Sequence, residues 1–157
     1  MRRLDELVAA IEKGDVVYDV RGKDRASVLA NLVKLIKPPA GLGRAELASA
    51  LVEREELATT AIGGGIALPH PRQRLAKDSN QAFVTLGYLD QPIEWDAPDG
   101  KPVSSVFLVI SDAADSHLKI LAGLACLGDM REFRSFLAQR PDKATLIGYL
   151  KALPSRA

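Results

Sequence analysis

A histidine between two prolines, preceded by three glycines, limits how this chain folds more than any other feature. Residues 59–72 read TTAIGGGIALPHPR. Pro69 cannot continue a helix, Pro71 restricts His70 to an extended backbone, and the glycines allow a turn or a close approach to a ligand. The imidazole of His70 is therefore held in a fixed direction, so little ordering entropy is left to lose when it meets a reacting group.

Imidazole takes up and releases groups near neutral pH because its unperturbed pKa is about 6.5. The glycines of this segment are not followed by the Lys-Ser/Thr pair of a phosphate-binding P-loop. Taken alone, the segment fits both a nucleophilic histidine and an ordinary loop residue. The choice depends on the rest of the chain.

Length and composition favour one domain, residues 1–157, and exclude several classes of function. Lys plus Arg (21) nearly balance Asp plus Glu (20), which argues against a nucleic-acid-binding face. The single cysteine, Cys126, excludes an intramolecular disulfide and a Cys-based zinc finger, and it is expected in the core. No apolar run reaches the roughly 20 residues that cross a bilayer, and no signal-peptide stretch follows Met1. We therefore expect a cytoplasmic protein without membrane insertion.

Helical spacing and strand composition alternate along the chain. Hydrophobic periodicity predicts helices over 4–11, 25–37, 45–55, 130–139 and 141–150, and a further helix that Asp115 or Ser116 can cap. Strands are predicted at 16–20, 82–89 and 103–110, the last buried on both faces. Helices interspersed with strands indicate an α/β or α+β layered domain.

Two loops and one helix face receive specific predictions. Trp95 is expected to pack its loop against the sheet. The helix that begins near residue 115 is expected to bury Leu118, Leu121, Ala122 and Ala125, with Leu124 alongside. Arg72 and Arg74 add cations after His70. Arg72 is expected in a solvated loop, with contact to phosphate or to an acidic patch of a partner as the alternative.

Two further side chains have more than one interpretation. Arg54 is placed near the end of a helix, where a cation is ordinarily a surface partner of the helix dipole. His117 is placed in the first turn of the next predicted helix, where the dipole disfavours its charged form and a partly exposed position is common. The residues alone leave a structural and a functional role open for both.

Residues 59–70 resemble the active-site segment of the enzyme IIA domains of the bacterial phosphotransferase system (PTS), in the fructose/mannitol/nitrogen-regulatory (type 2) class. The positions that carry the resemblance are Thr59, Thr60, Gly63, Gly65, Ile66, Ala67, Pro69 and His70. An upstream Arg-Glu pair, a later Pro-Ile-Glu-Trp-Asp-Ala segment and a His-Leu-Lys-Ile-Leu helix start follow the family order, so the resemblance covers essentially the whole chain. Pro71 is a departure, since the family often has glycine after the histidine.

The resemblance implies a mixed central sheet flanked by helices on both faces. It implies that Nε2 of His70 accepts a phosphoryl group from an HPr-like phosphohistidine carrier protein, while Nδ1–H bonds to a backbone carbonyl. It further implies that Arg54 helps to hold the phosphoryl group and that His117 faces the phosphorylated ring. Glu55 is expected to orient Arg54. No metal or organic cofactor is implied.

Three functions follow from these observations. The first is a phosphocarrier that passes the group to a cysteine or histidine of a IIB domain or protein in sugar uptake. The second is a regulatory module, of the nitrogen type, whose partner binding depends on the phosphorylation state of His70. The third is a metal site at His70 and His117, which lacks a further ligand with the spacing of a zinc motif. Gene neighbourhood would separate the first two.

Overall fold

A five-stranded mixed sheet forms the centre of the protein, with strand order β1-β4-β5-β3-β2. A computed structural model describes residues 3–39, 41–72, 82–111 and 114–154. The strands are β1 (Val16–Val20), β2 (Ala61–Gly63), β3 (Ile66–Ala67), β4 (Ala82–Ile93) and β5 (Val103–Ser111). The β1·β4 and β3·β5 pairs are parallel, whereas β4·β5 and β2·β3 are antiparallel.

Six helices of the described chain cover the sheet. They are α1 (Arg3–Lys13), α2 (Arg25–Leu35), α3 (Arg44–Leu57), α4 (Ala114–Gly128), α5 (Arg131–Ala138) and α6 (Lys143–Ala152). Buried residues of α1, α4, α5 and α6 form one apolar core, and those of α2 and α3 form a second. The expected arrangement of helices on both faces is confirmed.

Strand β5 shows how one sequence serves both cores. Phe107 and Val109 belong to the core beneath α1 and α4, whereas Val106, Leu108 and Ile110 belong to the core beneath α2 and α3. Side chains of a strand alternate between the two faces of a sheet, so a strand between two helical layers is apolar at every position. The prediction that this strand is buried on both faces is confirmed.

The ends of the helices follow local sequence signals. Asp24 caps α2, since its Oδ1 accepts a hydrogen bond from the Ser27 N–H at 2.8 Å and Ser27 Oγ accepts from the Asp24 N–H at 3.2 Å. Asp142 caps α6 by accepting from the Thr145 N–H at 2.8 Å. Gly14 follows the last residue of α1, which lies two residues beyond the predicted helix end at 11.

The tip of the β2–β3 hairpin requires glycine. Gly64 and Gly65 have φ of 66° and 79°, the pair of positive values that a two-residue type I′ turn demands. Asp99 braces the tip, because its Oδ2 accepts a hydrogen bond from the Gly64 N–H at 2.9 Å. The sequence indicated a turn here but not the two short strands beside it.

The predicted inner face of α4 is partly wrong. Leu124 is buried and Leu121 packs partly buried against the core, as predicted, but Leu118 is 66 % exposed and both alanines of the predicted face are exposed. Ile120 and Leu127 are buried in their place, because large apolar side chains remove more surface from water than alanines do. Cys126 is half-buried rather than in the core. Trp95 is fully buried, which confirms its packing role.

A matched pair of glycine substitutions tests how α1 meets the sheet. A Cβ added at Gly14 would overlap the main-chain oxygen of Val84 in β4, whereas one added at Gly148, in the exposed interior of α6, meets nothing. We expect Gly14→Ala to destabilise the fold by about 1–3 kcal/mol or more through overpacking. Gly148→Ala should stabilise it by about 0.5–1 kcal/mol through helix propensity.

Urea unfolding at one pH measures both changes. Equal midpoints for Gly14→Ala and the wild type would contradict the close approach of the α1 terminus to β4.

Candidate active site

The parallel pairing of β3 with β5 brings the two histidines together. His70 lies three residues beyond the end of β3, and His117 lies in the first turn of α4, which follows β5. Parallel strands end at the same edge of a sheet, so the segments that follow them meet there. The ring centroids of His70 and His117 are 5.0 Å apart, with an interplanar angle of 64°.

The backbone before His70 is held from both sides. The Leu68 N–H donates to the Thr60 carbonyl at 3.0 Å, which continues the β2·β3 ladder. The Pro69 carbonyl accepts from the Val109 N–H of β5 at 2.9 Å. The extended conformation expected for this segment is therefore reinforced by neighbours on each side.

The ring of His70 is oriented by its own backbone. Its Nδ1 lies 2.7 Å from the carbonyl oxygen of Leu68. A carbonyl oxygen only accepts, so Nδ1 carries the proton in this bond and the lone pair of the neutral ring is on Nε2. This is the atom that the family resemblance assigns to phosphoryl transfer.

Both imidazoles favour the neutral form. Burial lowers the pKa of His70 below its ordinary value, and the charge of Arg54 lowers it further, while the hydrogen bond to Leu68 and the charge of Glu55 raise it. Burial, followed by the neighbouring His70, lowers the pKa of His117 to about 4. A half-buried pair of imidazoles cannot easily hold two positive charges, so both rings favour the uncharged form at neutral pH.

Arg54 lies in the last turn of α3, which extends to Leu57 rather than ending at Glu55. Its Nη1 donates to the carbonyl of Ala58, the C-cap residue, at 2.8 Å. This bond satisfies a carbonyl that the helix leaves free. Arg54 is also close enough for its charge to act on His70. Arg72 is exposed, as expected, and Arg74 lies outside the described residues.

Glu55 does not have the role expected from the sequence. Its side chain is 4 % exposed, and its carboxylate accepts hydrogen bonds from Thr60 and Trp95 rather than orienting Arg54. Sequence reasoning missed this contact because Trp95 is 40 residues away along the chain. The only local signal was an acidic residue at a position of α3 that turns out to face the core.

Among the described residues, no group of three or more His, Cys, Asp and Glu side chains is placed to hold a metal ion. None of the described helices is long and apolar enough to cross a membrane.

Comparison with known proteins assigns the family. The model of the family described as "Phosphoenolpyruvate-dependent sugar phosphotransferase system, EIIA 2" matches residues 9–152. The chain belongs to this family. Its site therefore lies in a PTS IIA domain, in agreement with the resemblance carried by residues 59–70.

Curated relatives of this IIA domain have two kinds of name. The nitrogen regulatory protein of Pseudomonas aeruginosa is 31 % identical over 149 residues, which cover 93 % of both chains. The fructose-specific EIIA component of Haloferax volcanii is 33 % identical over 99 residues, 62 % of each chain.

Solved structures share the fold of the IIA domain. The nitrogen regulatory protein IIA-Ntr of Neisseria meningitidis superimposes with a TM-score of 0.78 at 27 % identity, over 94 % of this chain and 99 % of that one. The mannitol IIA of Escherichia coli, solved in complex with phosphorylated mannitol IIB, gives 0.66 at 17 % identity, over 88 % and 95 %.

The low pKa of His117 makes the stability of the IIA domain depend on pH. Between pH 6.5 and about 4 the unfolded chain binds a proton that folded His117 does not. Stability from this residue is thus complete above pH 6.5 and is lost as pH falls towards 4. We expect His117→Gln to lose less stability than the wild type over this interval.

Urea unfolding between pH 4 and 8 measures the free energy of unfolding of both proteins. The difference between them reports on His117, because the carboxylates are the same in both. Parallel pH profiles for the two proteins would show that His117 titrates normally.

Proposed function

We propose that the chain is one IIA domain, residues 1–157, whose His70 accepts a phosphoryl group from a phosphohistidine carrier protein and passes it on. The observation that supports this most directly is the bond between Nδ1 of His70 and the Leu68 carbonyl. It leaves the lone pair of Nε2 free on a half-buried, neutral ring. Such a ring is a nucleophile whose direction is set before the partner arrives.

The transfer balances with the groups named. The lone pair of Nε2 forms a bond to phosphorus as the bond between phosphorus and the carrier imidazole breaks, and the carrier leaves with that electron pair. The proton on Nδ1 stays in its bond to Leu68, which stabilises the positive charge that develops on the ring. Onward transfer repeats the exchange with a cysteine or histidine of the acceptor.

Arg54 and His117 are the groups we propose for the phosphoryl oxygens. Phosphoryl transfer depends mainly on positioning and on charge stabilisation. Guanidinium keeps its charge at every relevant pH and offers a planar set of donors to phosphate oxygens. A neutral His117 supplies an N–H donor from the opposite element, α4. In the domain as described, Arg54 uses Nη1 for Ala58, and its remaining N–H groups suit an incoming anion.

The partners we propose are an HPr-like carrier, or its nitrogen-branch equivalent, and a IIB domain or a regulatory target, and we expect the exchange to take place in the cytoplasm. The mannitol relative supports a IIB acceptor, since it was solved with phosphorylated IIB. The balanced charge of the chain gives no support for a nucleic-acid partner.

A second function, regulation, is supported by the names of several relatives. The nitrogen regulatory protein of Pseudomonas aeruginosa aligns over 93 % of this chain, and a fructose-specific EIIABC component of Bacillus subtilis aligns over 90 %, so the names support regulation beside transport. In a regulator, the negative charge gained by His70 would face Arg54 and change which partners bind. Partner binding by phosphorylated and unphosphorylated protein, measured side by side, separates regulation from transport.

Phosphorylation at His70 is directly testable. Incubation with a phosphorylated carrier protein should add one acid-labile, base-stable phosphate to the wild type and none to His70→Ala. Intact mass spectrometry measures the incorporation, and circular dichroism checks that the variant is folded. Equal incorporation in both proteins would contradict the assignment of the nucleophile.

Two arginines of α3 provide a matched test of charge stabilisation. Arg54 and Arg44 each donate to a backbone carbonyl, of Ala58 at 2.8 Å and of Ile36 at 2.9 Å. They lie ten residues apart, about 15 Å along the helix. Arg54→Gln should slow phosphorylation of His70 by about 100-fold or more, the cost of losing one preorganised donor. Arg44→Gln should leave the rate unchanged.

Rapid-quench rates and thermal melts decide between charge and fold. We expect the two arginine variants to lose similar, small amounts of stability, and His117→Ala to slow onward transfer more than acceptance. Equal rates for Arg44→Gln and Arg54→Gln would return Arg54 to a purely structural role.

A further inference from the structure

A continuous set of hydrogen bonds joins a buried carboxylate to the ring of His70. Oε1 of Glu55 accepts from the Thr60 N–H at 2.8 Å, and Oε2 accepts from the Thr60 hydroxyl at 2.7 Å. The Thr60 carbonyl accepts from the Leu68 N–H at 3.0 Å. The Leu68 carbonyl accepts from Nδ1 of His70 at 2.7 Å. Each bond places the residue that makes the next one.

Thr60 is the residue directly opposite Leu68. The β2·β3 register pairs Ala61 with Ala67, so the next pair outward is Thr60 with Leu68. Neither residue belongs to a strand, and the hairpin ends at this point. β2 is at the edge of the sheet, so no further strand pairs with the segment that contains Thr60. The two hydrogen bonds that Thr60 donates to Glu55 of α3 hold it on this open side. The position of the Leu68 carbonyl therefore depends on Glu55 through Thr60.

We propose that Glu55 is a positioning residue for phosphoryl transfer, which sets the orientation and tautomer of His70 through Thr60 and Leu68. This inference rests on the proposed role of His70 as the nucleophile. Glu55 does not touch the reacting atoms, and its effect is transmitted by the backbone. If the Leu68 carbonyl moves, Nδ1 loses its acceptor and the proton can occupy Nε2, which removes the nucleophilic lone pair.

The carboxylate has a second anchor that explains its fixed position. Trp95 is fully buried, and its Nε1–H donates to Oε1 of Glu55 at 2.7 Å. Thr59 closes the arrangement, since its hydroxyl donates to the Trp95 carbonyl at 2.6 Å. The loop that carries Trp95 and the segment that leads to β2 are thus tied to the same carboxylate, and an acceptor held by three donors keeps a single rotamer.

Charge is the competing explanation for any effect of Glu55. Its negative charge acts on His70 and opposes that of Arg54 on the same helix. His70 in turn acts on His117 of α4, and Arg25 of α2 lies 3.9 Å from Oε1 of Glu55. A purely electrostatic role would require the negative charge but not the reach of the side chain. A positioning role would require the reach but not the charge.

Two conservative variants separate these requirements. In Glu55→Gln the amide oxygen can accept from the Thr60 N–H and from Trp95, and the amide N–H can donate to the Thr60 hydroxyl, so the geometry is kept without the charge. In Glu55→Asp the charge is kept, but the carboxylate is withdrawn by one carbon–carbon bond, about 1.5 Å. That distance is enough to break hydrogen bonds of normal length.

The decisive measurement is the tautomer of His70, read from the ring ¹⁵N shifts at pH 8 in the unphosphorylated protein. We expect the Nδ1–H form in the wild type and in Glu55→Gln, and a clear gain of the Nε2–H form in Glu55→Asp. Phosphorylation by the carrier should be close to the wild-type rate in Glu55→Gln and about 10-fold to 100-fold slower in Glu55→Asp, as expected for a misplaced reacting group.

Leu146→Ala is the control for general loss of stability. Leu146 is fully buried in α6, in the core on the other face of the sheet. Leu146→Ala should lower the melting temperature at least as much as Glu55→Asp and leave the tautomer of His70 unchanged. The inference is overturned if Glu55→Asp keeps the wild-type tautomer, if Glu55→Gln alone shifts it, or if Leu146→Ala shifts it equally. Because the tautomer is read without any carrier, absence of phosphorylation in the wild type would refute the proposed function separately.

Discussion

The pairing of β3 with β5 is the contact on which the site depends. β3 has only two residues, yet it enters the sheet between β2 and β5 and so fixes the direction in which the Pro-His-Pro segment leaves. The parallel arrangement sends this segment to the same edge as the end of β5, where α4 begins. His70 and His117 are 47 positions apart in the chain, and the parallel β3·β5 pairing is what brings them together. The glycine turn before β3 makes so short a hairpin possible.

Burial and the charge of Arg54 both lower the pKa of His70, and the charge of Glu55 opposes them. Partial burial favours neutral rings at His70 and His117, as the proposed nucleophile and N–H donor require. Arg54 places a positive charge near the ring of His70, where the proposed phosphoryl group would need it, and this charge also favours the neutral ring. The negative charge of Glu55 raises the pKa of His70. The proposed site thus combines a fixed cation with an uncharged imidazole.

Local signals in the sequence predicted most of the elements. Capping residues and periodicity located the helices because a helix is stabilised by contacts within a few residues. The strands at 16–20 and 103–110 were clear because β-branched and aromatic residues are concentrated there. The short strands β2 and β3 and the four residues that extend β4 beyond Leu89 were missed, since pairing with neighbours, and not composition, makes them strands. The apolar face of α4 was misassigned because two stripes satisfy the same period.

The sequence by itself determined the family, the extended backbone at His70 and the candidates His70, Arg54 and His117, because proline geometry and the order of motifs are properties of the chain. Only the tertiary structure decided that the two rings lie 5.0 Å apart, that Nδ1 of His70 is bound by a carbonyl, and that Glu55 faces Thr60 and Trp95 instead of Arg54. These features join residues from separate elements across the sheet. Their distances are set by strand register and side-chain packing, which no local pattern encodes.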